Sequence, residues 1–310
     1  MGEVLSGFFT IWVVIGSGWL LAHVRILEPS HQRVLASLTF HLGSPALLFT
    51  LVVRADLAKL FAHTLWITMS ATLAVALLQA VLARVLFHQS RAETVLGTAA
   101  ASYVNSANLG IPIAAFVLKD VTWTVPLLLF QVVMLQPIIL PLLALDAARR
   151  EGRRLGWRTN LTLPVRNPMT AATVLGLILN LTGVHPPTVV MAPIGLLGDL
   201  AVPTMLIAFG LSLRTGPLPG RGGHRGETVV ITVLKLVIHP IIAWLLASWW
   251  GLDQDLTLVV VVLAGLPTAQ NVFVLGVQYQ QGLAMVRDSV FWTTILSLIT
   301  ITLFAGLITG

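Results

Sequence analysis

Two stretches decide the reading of this chain: Ser102-Tyr103-Val104-Asn105-Ser106-Ala107-Asn108-Leu109-Gly110-Ile111-Pro112, within an apolar run at 93–118, and Gly265-Leu266-Pro267-Thr268-Ala269-Gln270-Asn271, within another at 256–281. Proline removes a backbone donor, crowds the preceding turn and disfavours helix at the residue before it. Gly110 stands two positions before Pro112, and Gly265 two before Pro267. Both runs are therefore expected to break, with each proline opening a second half-helix. Amides and hydroxyls this dense in an apolar run are costly in lipid unless they face protein or water.

Outward from these stretches, the composition sets the solvent. Of 310 residues, 56% are hydrophobic and only 10% charged, whereas a soluble domain carries about a quarter charged residues. Runs of roughly 20 apolar residues can span the hydrocarbon core, and the chain divides at 4–23, 33–52, 63–87, 93–118, 121–145, 167–184, 192–213, 228–250, 256–281 and 286–308. The expectation is an all-α membrane protein of ten transmembrane helices. The first run lacks the basic lead-in of a cleaved signal peptide and reads as a retained helix. Trp66, Trp123, Trp249 and Trp250 fall at run ends, as interfacial aromatics do.

Charge placement gives the orientation. Of 18 Lys and Arg residues, 14 fall in links on one side: Arg25, Arg33, Arg84, Arg91, Arg149, Arg150, Arg153, Arg154, Arg158, Arg166, Arg214, Arg221, Arg225 and Arg287. Arg54, Lys59 and Lys119 fall on the other side, and Lys235 lies within a run. Positive-inside bias places the Arg-rich link 146–166 in the cytoplasm, beside anionic lipid headgroups, and both termini on the far side of the inner membrane. The basic excess is thereby assigned to membrane lipids, with no nucleic acid as partner. Zero cysteines exclude thiol chemistry and cysteine-ligated metals, and no cofactor motif occurs.

The link divides the chain into 1–145 and 167–310, each with five runs. Five is odd, so a repeated five-helix unit enters the membrane in opposite senses, as in many secondary transporters. Gly43-Ser44-Pro45-Ala46-Leu47-Leu48-Phe49 resembles Ala201-Val202-Pro203-Thr204-Met205-Leu206-Ile207, and the spacing from Pro45 to Pro112, 67 positions, nearly matches the 64 from Pro203 to Pro267. Broken fourth and ninth helices in inverted halves should cross near the membrane centre. Each would leave free N–H groups and a partial positive end where its second half begins, after Gly110 and after Leu266, and the two ends together suit a carboxylate. Asn105, Asn108, Gly110, Pro112, Pro267, Thr268, Gln270 and Asn271 are the candidate substrate-binding residues. A lone proline is ordinarily only a kink and a lone Asn interhelical glue; the coincidence in both halves favours a crossover. Pro45 and Pro203 are read mainly as kinks that line the cavity.

These segments resemble the two signature segments of the auxin efflux carrier family, whose bacterial members are often called malonate or malate permeases. Lys235 with Pro240, and Ser297, fit the same pattern, and the resemblance runs nearly end to end. It implies two inverted five-helix repeats with crossing broken helices, a fold shared with bile-acid-type sodium symporters and sodium/proton antiporters. It also implies transport of a small organic anion, a mono- or dicarboxylate, by movement of one bundle against another, and it is compatible with a homodimer. Compared with plant members, the central link is short.

Supporting or coupling roles fall to Ser44, His41, Asp199 and Lys235. For the histidines His41 and His239 the plain alternative is a satisfied core residue; for Lys235 it is snorkelling to the interface. Asp199, near a helix start, is a candidate cation or proton site or counter-charge to Lys235. An intramembrane enzyme would want a His/Glu metal motif, an aspartate pair or Gly-x-Ser-x-Gly, and none occurs. An anion channel or an ion-coupled symporter of the same fold is the alternative. A topology reporter fused near Arg154 should read cytoplasmic and one after Gly310 extracytoplasmic; equal readings would refute the five-plus-five arrangement.

Overall fold

The computed structural model describes residues 2–55, 63–110, 113–120, 123–152, 168–184 and 186–309. They are helical throughout, with a single isolated β-bridge. Among the described residues, six segments are long and apolar enough to cross a membrane: Pro29–Val53, Thr64–Val85, Pro126–Arg150, Thr188–Thr215, Arg225–Trp249 and Leu283–Thr309. Shorter apolar helices cover Trp12–His23, Pro168–Thr182 and Gln254–Ala264. Among the described residues, the expected fourth and ninth runs are divided in mid-course by non-helical segments of three to five residues.

In chain order the helices are α1 (Gly2–His23), α2 (Pro29–Leu38), α3 (Ser44–Val53), α4 (His63–Val85), α5 (Arg91–Ser102), α6 (Thr124–Phe130), α7 (Gln136–Arg150) and α8 (Pro168–Thr182). There follow α9 (Thr188–Asp199), α10 (Ala201–Thr215), α11 (Arg225–Val233), α12 (His239–Trp249), α13 (Gln254–Ala264), α14 (Gln270–Tyr279) and α15 (Leu283–Thr309). Their ends follow local chemistry. Ser90 and Glu93 form a reciprocal capping box at the start of α5, and the Asp253 side chain accepts from Leu256 N–H at 2.8 Å to start α13.

Prolines explain most of the irregular turns. The π-helical turns Thr39–Gly43, Ser106–Gly110, Gln131–Leu135 and Leu234–Ile238 end two residues before Pro45, Pro112, Pro137 and Pro240. A proline cannot donate to the carbonyl four residues back and its ring crowds that carbonyl. Widening the preceding turn relieves the crowding, and the residue before proline then donates five residues back. The donors are Ser44 to Thr39, Gln136 to Gln131 and His239 to Leu234. Pro45 thus acts as expected, by disturbing its helix. Pro203 sits in the first turn of α10, where an absent N–H is harmless; the interruption falls at Leu200, beside Asp199, whose carbonyl Pro203 cannot serve.

Packing sorts the helices into two groups. One consists of α1, α2, α3, α8, α9 and α10, in which α1 lies along α10 and α3 lies between α8 and α9. The other gathers α4, α5, α12, α13 and α15, with α11 on α15 and α7 on α5. Helix α14 touches both groups, meeting α2 and α10 on one side and α15 on the other. Leu77, Val189 and Leu307 are largely exposed; such a surface suits hydrocarbon rather than water.

The α1–α10 seam is closed by paired glycines. A Cβ on Gly18 would collide with the backbone of Ile207, and one on Gly210 with the backbone of Ile15. Small residues allow this approach, and close packing is a main source of helix association in lipid. Gly210→Leu must force the helices apart. We expect a lower melting temperature in detergent, corresponding to about 1–3 kcal/mol, and an unchanged value would show that the seam is not tightly packed.

Candidate functional site

The site is built where two interrupted helices cross. Helix α5 ends at Ser102; Tyr103–Asn105 are extended, and the chain resumes as the turn Ser106–Gly110. Helix α13 ends at Ala264, residues 265–269 are non-helical, and α14 begins at Gln270. The two extended segments pair antiparallel at Val104 and Thr268. Asn105 N–H donates to Pro267 C=O at 2.8 Å and Ala269 N–H to Tyr103 C=O at 3.1 Å.

Within an apolar interior, a bare peptide group costs several kcal/mol, so the remaining groups are the test of the crossing. Val104 N–H donates to Gln131 Oε1 at 2.8 Å, and Tyr103 N–H to Ala99 C=O at 2.8 Å. Val104 C=O accepts from Ser106 N–H, and Asn105 C=O from Gly110 N–H. Every N–H and C=O of Tyr103, Val104 and Asn105 is therefore matched. Across the crossing, Thr268 N–H donates to Thr293 Oγ1 at 3.1 Å, while Thr268 Oγ1 donates to Ala100 C=O at 2.6 Å.

The structure places a break at Tyr103–Asn105, and Gly110 N–H reaches Asn105 C=O; Ile111 and Pro112, where the sequence placed the break and the start of the second half-helix, lie outside the described residues. The pairing with Pro267 C=O fixes where the chain must be extended. The second break does lie at Gly265–Ala269, as the Gly-x-Pro signal indicates.

Side chains tie the crossing together. Asn105 Nδ2 donates to Gln270 Oε1 at 2.7 Å, joining the two halves directly. Gln131 Nε2 donates to Ser106 Oγ at 2.8 Å, and Gln136 Nε2 to the Tyr103 hydroxyl at 3.3 Å. Beside the crossing is a cavity of about 50 Å³, bordered by Ser44, Asn105, Ser106, Gln136, Ala269 and Asn271. That is room for a few waters. Helices α3 and α10 supply its opposite wall through Leu47, Leu48, Ala201 and Val202. Phe209 of α10 meets Phe273 of α14 edge-on, with ring centroids 5.2 Å apart.

The predicted residues distribute unevenly. Asn105, Asn271 and Ser44 reach the cavity; Gln270 and Thr268 are buried in the crossing itself, and Pro267 forms part of its backbone. Gly110 is buried against Leu266, while Pro45 and Pro203 are absent from the cavity wall, which their neighbours Ser44, Ala201 and Val202 form. Asn108 lies in the turn Ser106–Gly110, with its side chain outside the described structure, and Pro112 lies outside the described residues.

The supporting candidates need correction. His41 is exposed, its Nδ1 within 3.2 Å of Ser37 Oγ, rather than a core residue. Asp199 is exposed and closes α9, and no ion pair joins it to Lys235 among the described residues. Lys235 does not snorkel: it is fully buried, with Nζ 3.1 Å from His239 Nδ1 and 3.4 Å from Ala264 C=O, the last carbonyl of α13. His239 Nε2 in turn lies 3.3 Å from Thr72 Oγ1, so His239 is the satisfied core histidine.

Gln131, Gln136, Thr72 and Thr293 escaped the sequence reading. The two glutamines had a visible signal, being amides in an otherwise apolar run at 121–145; a threonine in a helix has none. Gln131→Leu leaves Val104 N–H buried without its acceptor and should cost about 1–3 kcal/mol. Melting curves should separate it from exposed Thr302→Val, expected within about 0.5 kcal/mol of wild type. Equal curves would mean that another group takes over the contact.

Comparison with known proteins gives a consistent picture. Residues 4–305 match the family described as "Membrane transport protein". A protein of Rhizobium meliloti (strain 1021) named "Putative malonate transporter" is 34% identical over 137 residues, covering 44% of this chain and 42% of that protein. An "Uncharacterized transporter" of Methanothermobacter thermautotrophicus is 27% identical over 312 residues, 96% of this chain and 95% of the relative.

Proposed function

The chain belongs to the membrane transport protein family, that of the auxin efflux carriers, and from this premise we propose that it carries a small organic anion, a short mono- or dicarboxylate, across the inner membrane by alternating access. The observation that carries the reading is the crossing: two interrupted helices put Asn105, Ser106 and Asn271 beside one cavity where the start of α14 also points. Amide and hydroxyl donors with a helix N-terminus can hold a carboxylate while no full negative charge stands in the way. The name of the Rhizobium relative makes malonate the first substrate to try.

In this reading the ten helices form two inverted five-helix repeats, 1–145 and 167–310, joined by the Arg-rich link at 146–166. The helix group around α1, α3, α8 and α10 acts as a scaffold, and the group carrying the crossing slides against it as an elevator. The cavity lies on the boundary between the groups, with α3 and α10 on one side and the crossing on the other. That is where a moving bundle exposes its cargo first to one face and then to the other. Ser44 contributes from the scaffold side; Lys235 serves from behind, fastening α12 to the end of α13.

The test is binding and counterflow on one preparation. Purified protein should gain thermal stability with malonate and exchange labelled malonate across proteoliposomes with saturation. Asn271→Ala and Asn108→Ala should weaken binding by about 1–3 kcal/mol at unchanged melting temperature without ligand. Wild-type affinity in both variants would make the crossing purely structural, and flux that fails to saturate would favour a channel.

A further inference from the structure

A second cavity, of about 280 Å³, lies away from the crossing, where α4, α5 and α7 meet at the membrane face carrying the arginine excess. Its wall contains Arg84 from the end of α4, Arg91 and Thr94 from the first turn of α5, and Leu142, Asp146 and Arg149 from α7. Helix α5 packs against both α4 and α7 and forms the floor, to which Val95 adds apolar surface. From this arrangement we propose that the groove binds an anionic phospholipid, its phosphate among Arg84, Arg91 and Arg149 and its acyl chain along α4 and α7.

The charge balance points to an anion. The carboxylate in the wall, Asp146, is already engaged at 2.9 Å by Arg150, which stands outside the cavity. Glu93, which accepts from Ser90 N–H in the capping box of α5, is not among the residues that line the cavity. Arg84 donates to Gln89 C=O at 3.0 Å, a neutral partner, and neither Arg91 nor Arg149 has an ion pair among the described residues. Three guanidinium groups thus face one space with no carboxylate left over. Arginine is suited to phosphate because its planar fork presents paired donors.

The apolar half of the site selects a lipid over a soluble anion. On α7, Ile138, Leu142, Leu145 and Arg149 fall at helical spacings of three and four, on one face, and Ile138 and Leu142 are exposed. On α4, Leu77, Val81 and Arg84 form the matching row, with Leu77 and Val81 exposed. Each row runs from apolar side chains in the membrane to an arginine at its edge. A free anion would use the arginines alone; a phospholipid uses both ends. The floor helix α5 ends at Ser102, immediately before Tyr103 of the crossing, so the bound lipid steadies the half-helix that carries the transport site.

Binding can be read independently of transport. Delipidated protein in neutral detergent is titrated with phosphatidylglycerol or with phosphatidylcholine, following melting temperature and lipid adducts by native mass spectrometry. Phosphatidylglycerol should raise the melting temperature saturably and phosphatidylcholine should not. Replacing arginines should weaken the effect roughly fivefold each, so Arg91→Gln with Arg149→Gln lowers apparent affinity about 25-fold. Leu142→Trp, which keeps every charge but fills the groove, should also abolish the bound adduct; Arg221→Gln, in another link, should leave it intact. Equal stabilisation by the two lipids, or an undiminished response in both groove variants, overturns the proposal. An equal rise with glycerol phosphate at matched concentration overturns it as well, by making the site one for free anions.

Discussion

The short antiparallel pairing of Tyr103–Asn105 with Pro267–Ala269 is the constraint on which the rest of the site depends. A helix satisfies its own backbone; an interrupted helix inside a membrane protein does not, and the exposed groups must be met by something else. Here each break supplies part of the answer to the other, through Asn105 to Pro267 and Ala269 to Tyr103. Gln131 and Thr293 complete it from neighbouring helices. Neither break would be tolerable alone, which is why the two occur together.

The same demand organises the surroundings. Thr268 reaches the α5 carbonyl at Ala100, and Lys235 reaches the last carbonyl of α13 at Ala264, so the interrupted helix ends are held by side chains from other segments. The π turns are a gentler form of the same problem. Where a proline falls in an otherwise continuous helix, the turn before it widens and the lost bond is replaced by one a residue longer. The crossing and the π turns together give the described helices their irregular interior, beside an α1–α10 seam as close as Gly18 and Gly210 allow.

Such an arrangement sets up function as a boundary. Asn105 continues from α5 of one helix group, and the opposing wall, with Ser44, Ala201 and Val202, belongs to the other. A ligand between them contacts both, so relative motion of the groups and occupancy of the cavity are coupled in the carrier reading. The chain's match to the membrane transport protein family covers residues 4–305 and so includes both sides of this boundary.

Several features were legible in the residues themselves. Composition dictated a helical membrane protein, because hydrophobicity and the scarcity of charge are properties of each segment taken alone. Gly265-Leu266-Pro267 marked its own break, because proline and glycine act on the adjacent backbone. The break at Tyr103–Asn105 carried no such local mark for the complementary reason: these residues are extended to meet a segment more than 160 positions away. Lys235 was similarly ambiguous, since only the packing of α4, α12 and α13 around it decided between an interfacial and a buried amine. Sequence by itself determined the solvent, the helical class and the existence of paired breaks, all set by near-neighbour chemistry; the register of the crossing, the partners of its peptide groups and the wall of its cavity were decided by tertiary structure, because each requires a donor or acceptor from a distant part of the chain.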